Sequence, residues 1–275
     1  MYNVLNNMSK SLFGVAAVLT ALCSCSSESR PDADSLLGQA QDYIDARNYA
    51  DATLMIDSVH SAFPDDAGAR RKAMRLTEKI NEMQTLDSIP DADMRLAKAK
   101  LAVDSLASFF IRIDNPYGLD PYYIDKTLKP DVVGQTTIQP RISAENNFYM
   151  IATVNGGTIG LKAIELVDGS HRASSAEAAP DRLVRDASSE MLSFSPEEVM
   201  LLADWLIAHP GADRMILTGS AKSVERPLSA GLNEAIRRTR SYAAALSELR
   251  SASVLREKLE RRLAIARDHL ANMPQ

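Results

Sequence analysis

After residue 25 the chain contains no cysteine. Disulfide staples, thiol nucleophiles and cysteine-held zinc are therefore excluded from 250 of its 275 residues. Histidine is scarce as well. His60, His171, His209 and His269 stand far apart and show none of the short spacings that place two imidazoles on one metal. No glycine-rich phosphate loop, dinucleotide fingerprint or GxSxG elbow occurs; Gly219-Ser220-Ala221-Lys222-Ser223 follows a strand-like run but lacks the full glycine spacing. Long apolar runs are missing too. The longest, Leu12 to Leu22, covers 11 residues, against about 20 for a membrane span. Nor does one sign of charge dominate: 31 basic and 36 acidic side chains leave −5, which argues against a nucleic-acid partner. These absences lead us to expect no catalytic residue, no metal site and no cofactor.

What is present begins at the N-terminus. Lys10 is the sole charged residue among residues 1–24, and the apolar run follows it. A basic start, a short apolar core and small residues make a secretory signal. The run ends in Leu22-Cys23-Ser24-Cys25. This segment resembles the lipobox of bacterial lipoproteins, with Leu22 three residues before Cys25 and the small Ser24 just before it. Cys at the intervening position departs from the pattern. The resemblance implies cleavage before Cys25 and lipid attachment there, Cys23 being the second choice. It implies a cell-envelope protein held to a membrane by its N-terminal lipid. Ser26, rather than Asp, follows the cysteine, which favours the outer membrane over the inner.

The mature chain divides by composition. Residues 1–24 form the signal, and 25–34 (CSSESRPDAD) a polar, proline-broken tether. Residues 35–64 carry helical periodicity with a break at Arg47-Asn48. Tyr43, Ala52, Ile56 and Pro64 stand at spacings similar to those of one tetratricopeptide repeat, with Ile in place of the aromatic. No second repeat follows, so a groove of stacked repeats is not available.

Residues 65–113 read as a long helix with a kink near Pro90, whose ring removes a backbone donor. Its apolar stripe is Ala73, Leu76, Ile80, Met83 and Leu86, continued by Leu96, Leu101, Val103, Leu106, Phe109 and Phe110. Residues 228–275 read as a second long helix, capped by Ser229 and free of Gly and Pro from 232 to 273. Tyr242, Leu246, Leu249, Ala252, Leu255, Leu259, Leu263, Ala266 and Leu270 recur every three or four residues. Neither stripe can stay uncovered. We expect an antiparallel helical stalk, a coiled coil within one chain or between copies in a homo-oligomer.

Between the helices, residues 114–227 hold the strand-forming sequence. Phe148–Val154 and Thr158–Val167 flank Asn155-Gly156-Gly157 and read as a hairpin. Thr137–Ser143 reads as an edge strand because of Pro140, and 170–189 as a surface excursion. Met191–Phe194 and Met215–Thr218 read as strands on either side of a helix opened by Ser195-Pro196-Glu197-Glu198. The expected fold class is α+β, mostly helical: a tetratricopeptide-like hairpin and a long helical stalk carrying a head with a small mixed or antiparallel sheet.

Two features of this head bear on function. The order strand, helix, strand, helix over residues 191–246, with Asn233, Ile236 and Arg240, resembles the peptidoglycan-binding domain of outer-membrane protein A. Lys222, however, replaces the family's amine-holding Asp. Tyr117, Tyr122 and Tyr123 cluster in a proline-stiffened stretch. They are candidates for an interaction surface or for packing where head meets stalk. The reading that emerges is a non-enzymatic, membrane-anchored envelope protein with a structural or protein-interaction role and an envelope protein as partner. The alternatives are a peptidoglycan tether or an enzyme acting on envelope glycan or peptide.

Overall fold

The computed structural model describes residues 32–273 apart from 115–119, 131 and 133. The signal segment, Cys23, Cys25 and Tyr117 lie outside the described residues. The chain forms two compact units, 1–73 and 74–275.

The first unit holds a helical hairpin. Asp32 caps α1 (Ala33–Asp45) by accepting the Ser35 N–H at 2.7 Å. The expected break is real: Arg47 adopts a left-handed φ of 59°, and Asn48 caps α2 (Tyr49–Ala62). Leu36, Leu37, Ala40 and Ile44 of α1 pack with Ala52, Ile56 and Val59 of α2. The unit boundary falls inside the next helix, α3 (Ala67–Ala107).

The second unit is α+β. α3 differs from the sequence reading in two ways. It runs through Pro90 without interruption. Pro90 and Leu86, whose carbonyl loses its donor, are both exposed, so water can take the place of the missing bond. The helix also stops at Ala107 rather than at 113, because Phe110–Ile113 forms strand β1. The β-branched alternation of FIRI wins there, and Phe110 stacks on Tyr242 with ring centroids 4.5 Å apart.

α5 (Ala230–Asn272) is capped by Ser229, as read from the sequence. It lies antiparallel to α3. Arg95 pairs with Glu248, Asp93 with Arg256, Glu82 with Arg267 and Glu78 with His269, so partners on α5 climb as those on α3 descend. Every residue of the α5 stripe is buried or half-buried. On α3, Leu86 and Leu101 are exposed instead, as is Phe109 just beyond its end. Thr85, Ala92 and Ala99 are buried in their place.

Among the described residues ten strands form two antiparallel sheets. The first contains β1, β2 (Tyr122–Asp125), β3 (Thr137–Ser143), β4 (Phe148–Asn155), β8 (Ser189–Phe194) and β7 (Leu183–Arg185), in the order β1-β2-β3-β4-β8-β7. The second has the order β10-β9-β5-β6, from β5 (Leu161–Asp168), β6 (His171–Ser174), β9 (Arg214–Gly219) and β10 (Ser223–Pro227). The expected hairpin across Asn155-Gly156-Gly157 does not form, since β4 and β5 belong to different sheets. The N–H groups of Gly156 and Gly157 both donate to the Ser188 carbonyl, which steers the chain away from a two-residue turn. The excursion at 170–189 is corrected too, for it supplies β6 and β7. Pro140 fits, although β3 is not an edge strand as a whole: β2 pairs only with Ile142 and Ser143, so at Pro140 the ladder continues on one side alone.

α4 (Pro196–Ala208) opens with a capping box between Ser195 and Glu198. Its Val199, Leu202 and Leu206 enter one core with Phe148, Met150, Leu192 and Phe194 of the first sheet, Ile164, Leu166 and Leu217 of the second, and Ile236 of α5. Two buried carboxylates tie this core together. Asp125, fully buried, accepts from Arg238 of α5 at 2.7 Å and from the N–H and hydroxyl of Thr127. Glu190 of β8, also fully buried, accepts the N–H groups of Ile159, Gly160 and Leu161 at 2.9, 3.1 and 3.1 Å. It thus holds the bend by which the chain enters the second sheet.

Candidate functional site

Strand alternation gives the six-stranded sheet two faces. Ile138, Pro140 and Ile142 of β3, with Met150, Ala152 and Val154 of β4, face the core. The other face carries Gln139 and Arg141 from β3, Tyr149, Ile151, Thr153 and Asn155 from β4, Ser189 and Met191 from β8, and Val184 from β7. An outer sheet face normally meets water, yet Gln139, Ile151 and Thr153 are buried. The connection from β2 to β3 crosses this face and is held down where Gln139 Nε2 donates to the Lys129 carbonyl at 2.6 Å. Between that connection and the 186–189 turn lies a groove of about 420 Å³. Pro130, Val132 and Gly134 line one side, Val184, Asp186 and Ser188 the other, and Arg141, Thr153 and Met191 the floor.

Arg141 dominates the electrostatics. Its Nε donates to Gln139 Oε1 at 2.6 Å, and its guanidinium lies 4.0 Å above the centre of the Tyr122 ring. Both contacts fix the side chain before any ligand arrives, the second as a cation–π interaction. Among the described residues no carboxylate pairs with it. Burial pushes the Tyr149 phenol up, and the nearby Arg141 charge partly offsets this. Asp186 lines the groove but is occupied by its own turn. It accepts from the Ser189 hydroxyl and from the N–H groups of Ser188 and Ser189, all at 2.7 Å, and these bonds hold its carboxyl below the usual range. Thr153 is the reverse case. It is 8% exposed, and its hydroxyl oxygen has no hydrogen-bond partner.

Of the tyrosines singled out in the sequence, the two described ones offer no free surface, and only Tyr122 stands beside this groove. Tyr122 is buried beneath Arg141, and Tyr123 is half-buried against the core. The positions matching outer-membrane protein A are engaged in packing: Asn233 donates to the carbonyls of Pro210 and Ala212, Ile236 is core, and Arg240 pairs with Asp204 of α4. The stretch from Gly219 to Ser223 forms the turn into β10, not a strand-to-helix phosphate loop. Gly219 is required there, since a Cβ would lie 2.2 Å from the Ile159 carbonyl oxygen. His171 and His209 do come together, with ring centroids 5.6 Å apart, and His209 stacks on Trp205. Among the described residues no three metal-ligating side chains converge. Neither Arg141 nor Thr153 was legible as a site residue, because only the sheet register brings them to one face.

No family model matches the chain, and neither the curated proteins nor the solved structures contain a significant match to it.

Proposed function

We propose that this is an envelope lipoprotein, attached to the outer membrane through a lipid on Cys25, that works by binding rather than by catalysis. The Leu22-Cys23-Ser24-Cys25 segment carries the reading of attachment. The groove under the β2–β3 connection supports the reading of binding, because it holds a fixed cation with which no carboxylate pairs among the described residues, in place of a nucleophile with its base. The α1–α2 hairpin serves as a single tetratricopeptide-like unit. α3 and α5 act as an antiparallel coiled coil: Thr85, Ala92 and Ala99 repeat every seven residues, as do Ala245, Ala252, Leu259 and Ala266. A peptidoglycan tether is less well supported, since Arg240 is already committed to Asp204.

Lipid attachment is strong because each buried CH₂ contributes about 0.8 kcal/mol and several chains act together. Cys25→Ser is therefore expected to abolish acyl labelling and to leave the signal segment uncleaved. A variant that is still processed and still floats with lipid-labelled membranes would overturn the attachment site.

A further inference from the structure

The polar groups of the groove are unevenly spent. Its acceptors are largely used. Gln139 Oε1 takes the Arg141 Nε, and Asp186 takes three donors from its own turn. Among the described residues its remaining donors are the guanidinium of Arg141, which also engages the Tyr149 hydroxyl but has more N–H groups than that one contact uses, and the buried, unpartnered hydroxyl of Thr153. Exposed Asn155 offers both kinds. A ligand that satisfies this site must bring acceptors, and a guanidinium fork matches two oxygens in one plane. A single cation suits a single negative charge better than a phosphate dianion. Val132, Val184 and Met191 supply apolar walls, and about 420 Å³ lies within the range of small-ligand sites.

We propose that this groove binds a carboxylate carried on a short aliphatic body, with Arg141 receiving the carboxylate and Thr153 donating to an oxygen of the ligand. The inference rests on reading the groove as the binding surface and is independent of how the chain is anchored. Two sources share this chemistry, a small aliphatic acid and the free C-terminus of a peptide.

Calorimetric titration of the full-length protein in detergent separates them. The probes are hexanoate and acetyl-Ala-Val-Ala with a free C-terminus, each beside its neutral amide. At least one acid is expected to bind at least about tenfold more tightly than its amide, the equivalent of one hydrogen bond to a charged group. Hexanoate alone identifies a small acid, and the peptide alone identifies C-terminal recognition. Arg141→Ala is expected to erase the preference for acid over amide, and Arg141→Lys to retain part of it. Thr153→Val keeps the side chain's shape while removing an unpaired hydroxyl. It is expected to weaken binding of the acid without lowering the melting temperature, which makes it a test that does not depend on Arg141→Ala folding. The proposal is overturned if neither acid binds, if acid and amide bind equally, or if the preference survives Arg141→Ala or the affinity is unchanged in Thr153→Val. Any of these results leaves attachment through Cys25 standing, because that reading is tested by the processing and lipidation of the N-terminus and not by ligand binding.

Discussion

Glu190→Ala is expected to be the most damaging single substitution in the head, costing about 3–5 kcal/mol. The carboxylate accepts three consecutive backbone N–H groups and the Nε of Arg185. Removing it strands donors at Ile159 and Leu161, both buried. For a unit of this size the loss corresponds to a fall in melting temperature of roughly 10 °C, which calorimetry would read directly. The effect should also depend on pH. Burial by itself would raise the Glu190 pKa; the N–H donors of Ile159, Leu161 and Gly160, together with Arg185, outweigh it and hold the group below its ordinary 4.5. The folded pKa thus lies below the unfolded one. The stabilisation is complete above pH 4.5 and is lost as the pH falls from there through the folded value. The gap between wild type and Glu190→Ala should narrow on acidification across that window. A gap that stays constant down to pH 3 would contradict the charged-acceptor account.

Arg238→Met is expected to cost a similar amount, about 3–5 kcal/mol, for a different reason. The guanidinium neutralises Asp125, which is fully buried, and lies 4.2 Å above the centre of the Phe109 ring. Without it an unpaired carboxylate remains in the core. The discriminating variant is Arg238→Met with Asp125→Asn, which removes the charge but keeps an acceptor for the Thr127 N–H. This double variant should be more stable in denaturant titration than Arg238→Met alone. If the second substitution adds further loss instead, the stranded charge is not what destabilises the single variant.

Glu190 and Arg238 also show what could be read in advance. Helix ends were legible because their signals are local. Ser195, Pro196 and Glu198 form the cap that their spacing announces, and Ser229 opens α5. The stripe on α5 was legible because a straight helix turns sequence spacing into a face. Strand pairing was not. Asn155-Gly156-Gly157 has the chemistry of a hairpin turn, yet the Ser188 carbonyl captures two of its N–H groups from 31 or more residues away. The contact face of α3 was misread around Leu86 and Leu101 because burial there follows the partner helix. Small Ala92 and Ala99 are buried there, and the larger Leu86 and Leu101 are exposed. The candidate site was hidden for the same reason. Arg141 becomes a fixed cation only through Tyr122 from β2 and through Gln139, itself held by the Lys129 carbonyl.

The central claim, a binding head held to a membrane by lipid, is tested most directly by mass spectrometry of the mature N-terminal peptide from envelope fractions. The account predicts that residue 25 is the first residue and that its cysteine carries the mass of a diacylglyceryl group, with or without a further acyl chain on its amine. An intact residue 1, a mature end elsewhere without lipid, or acylation at Cys23 would contradict it.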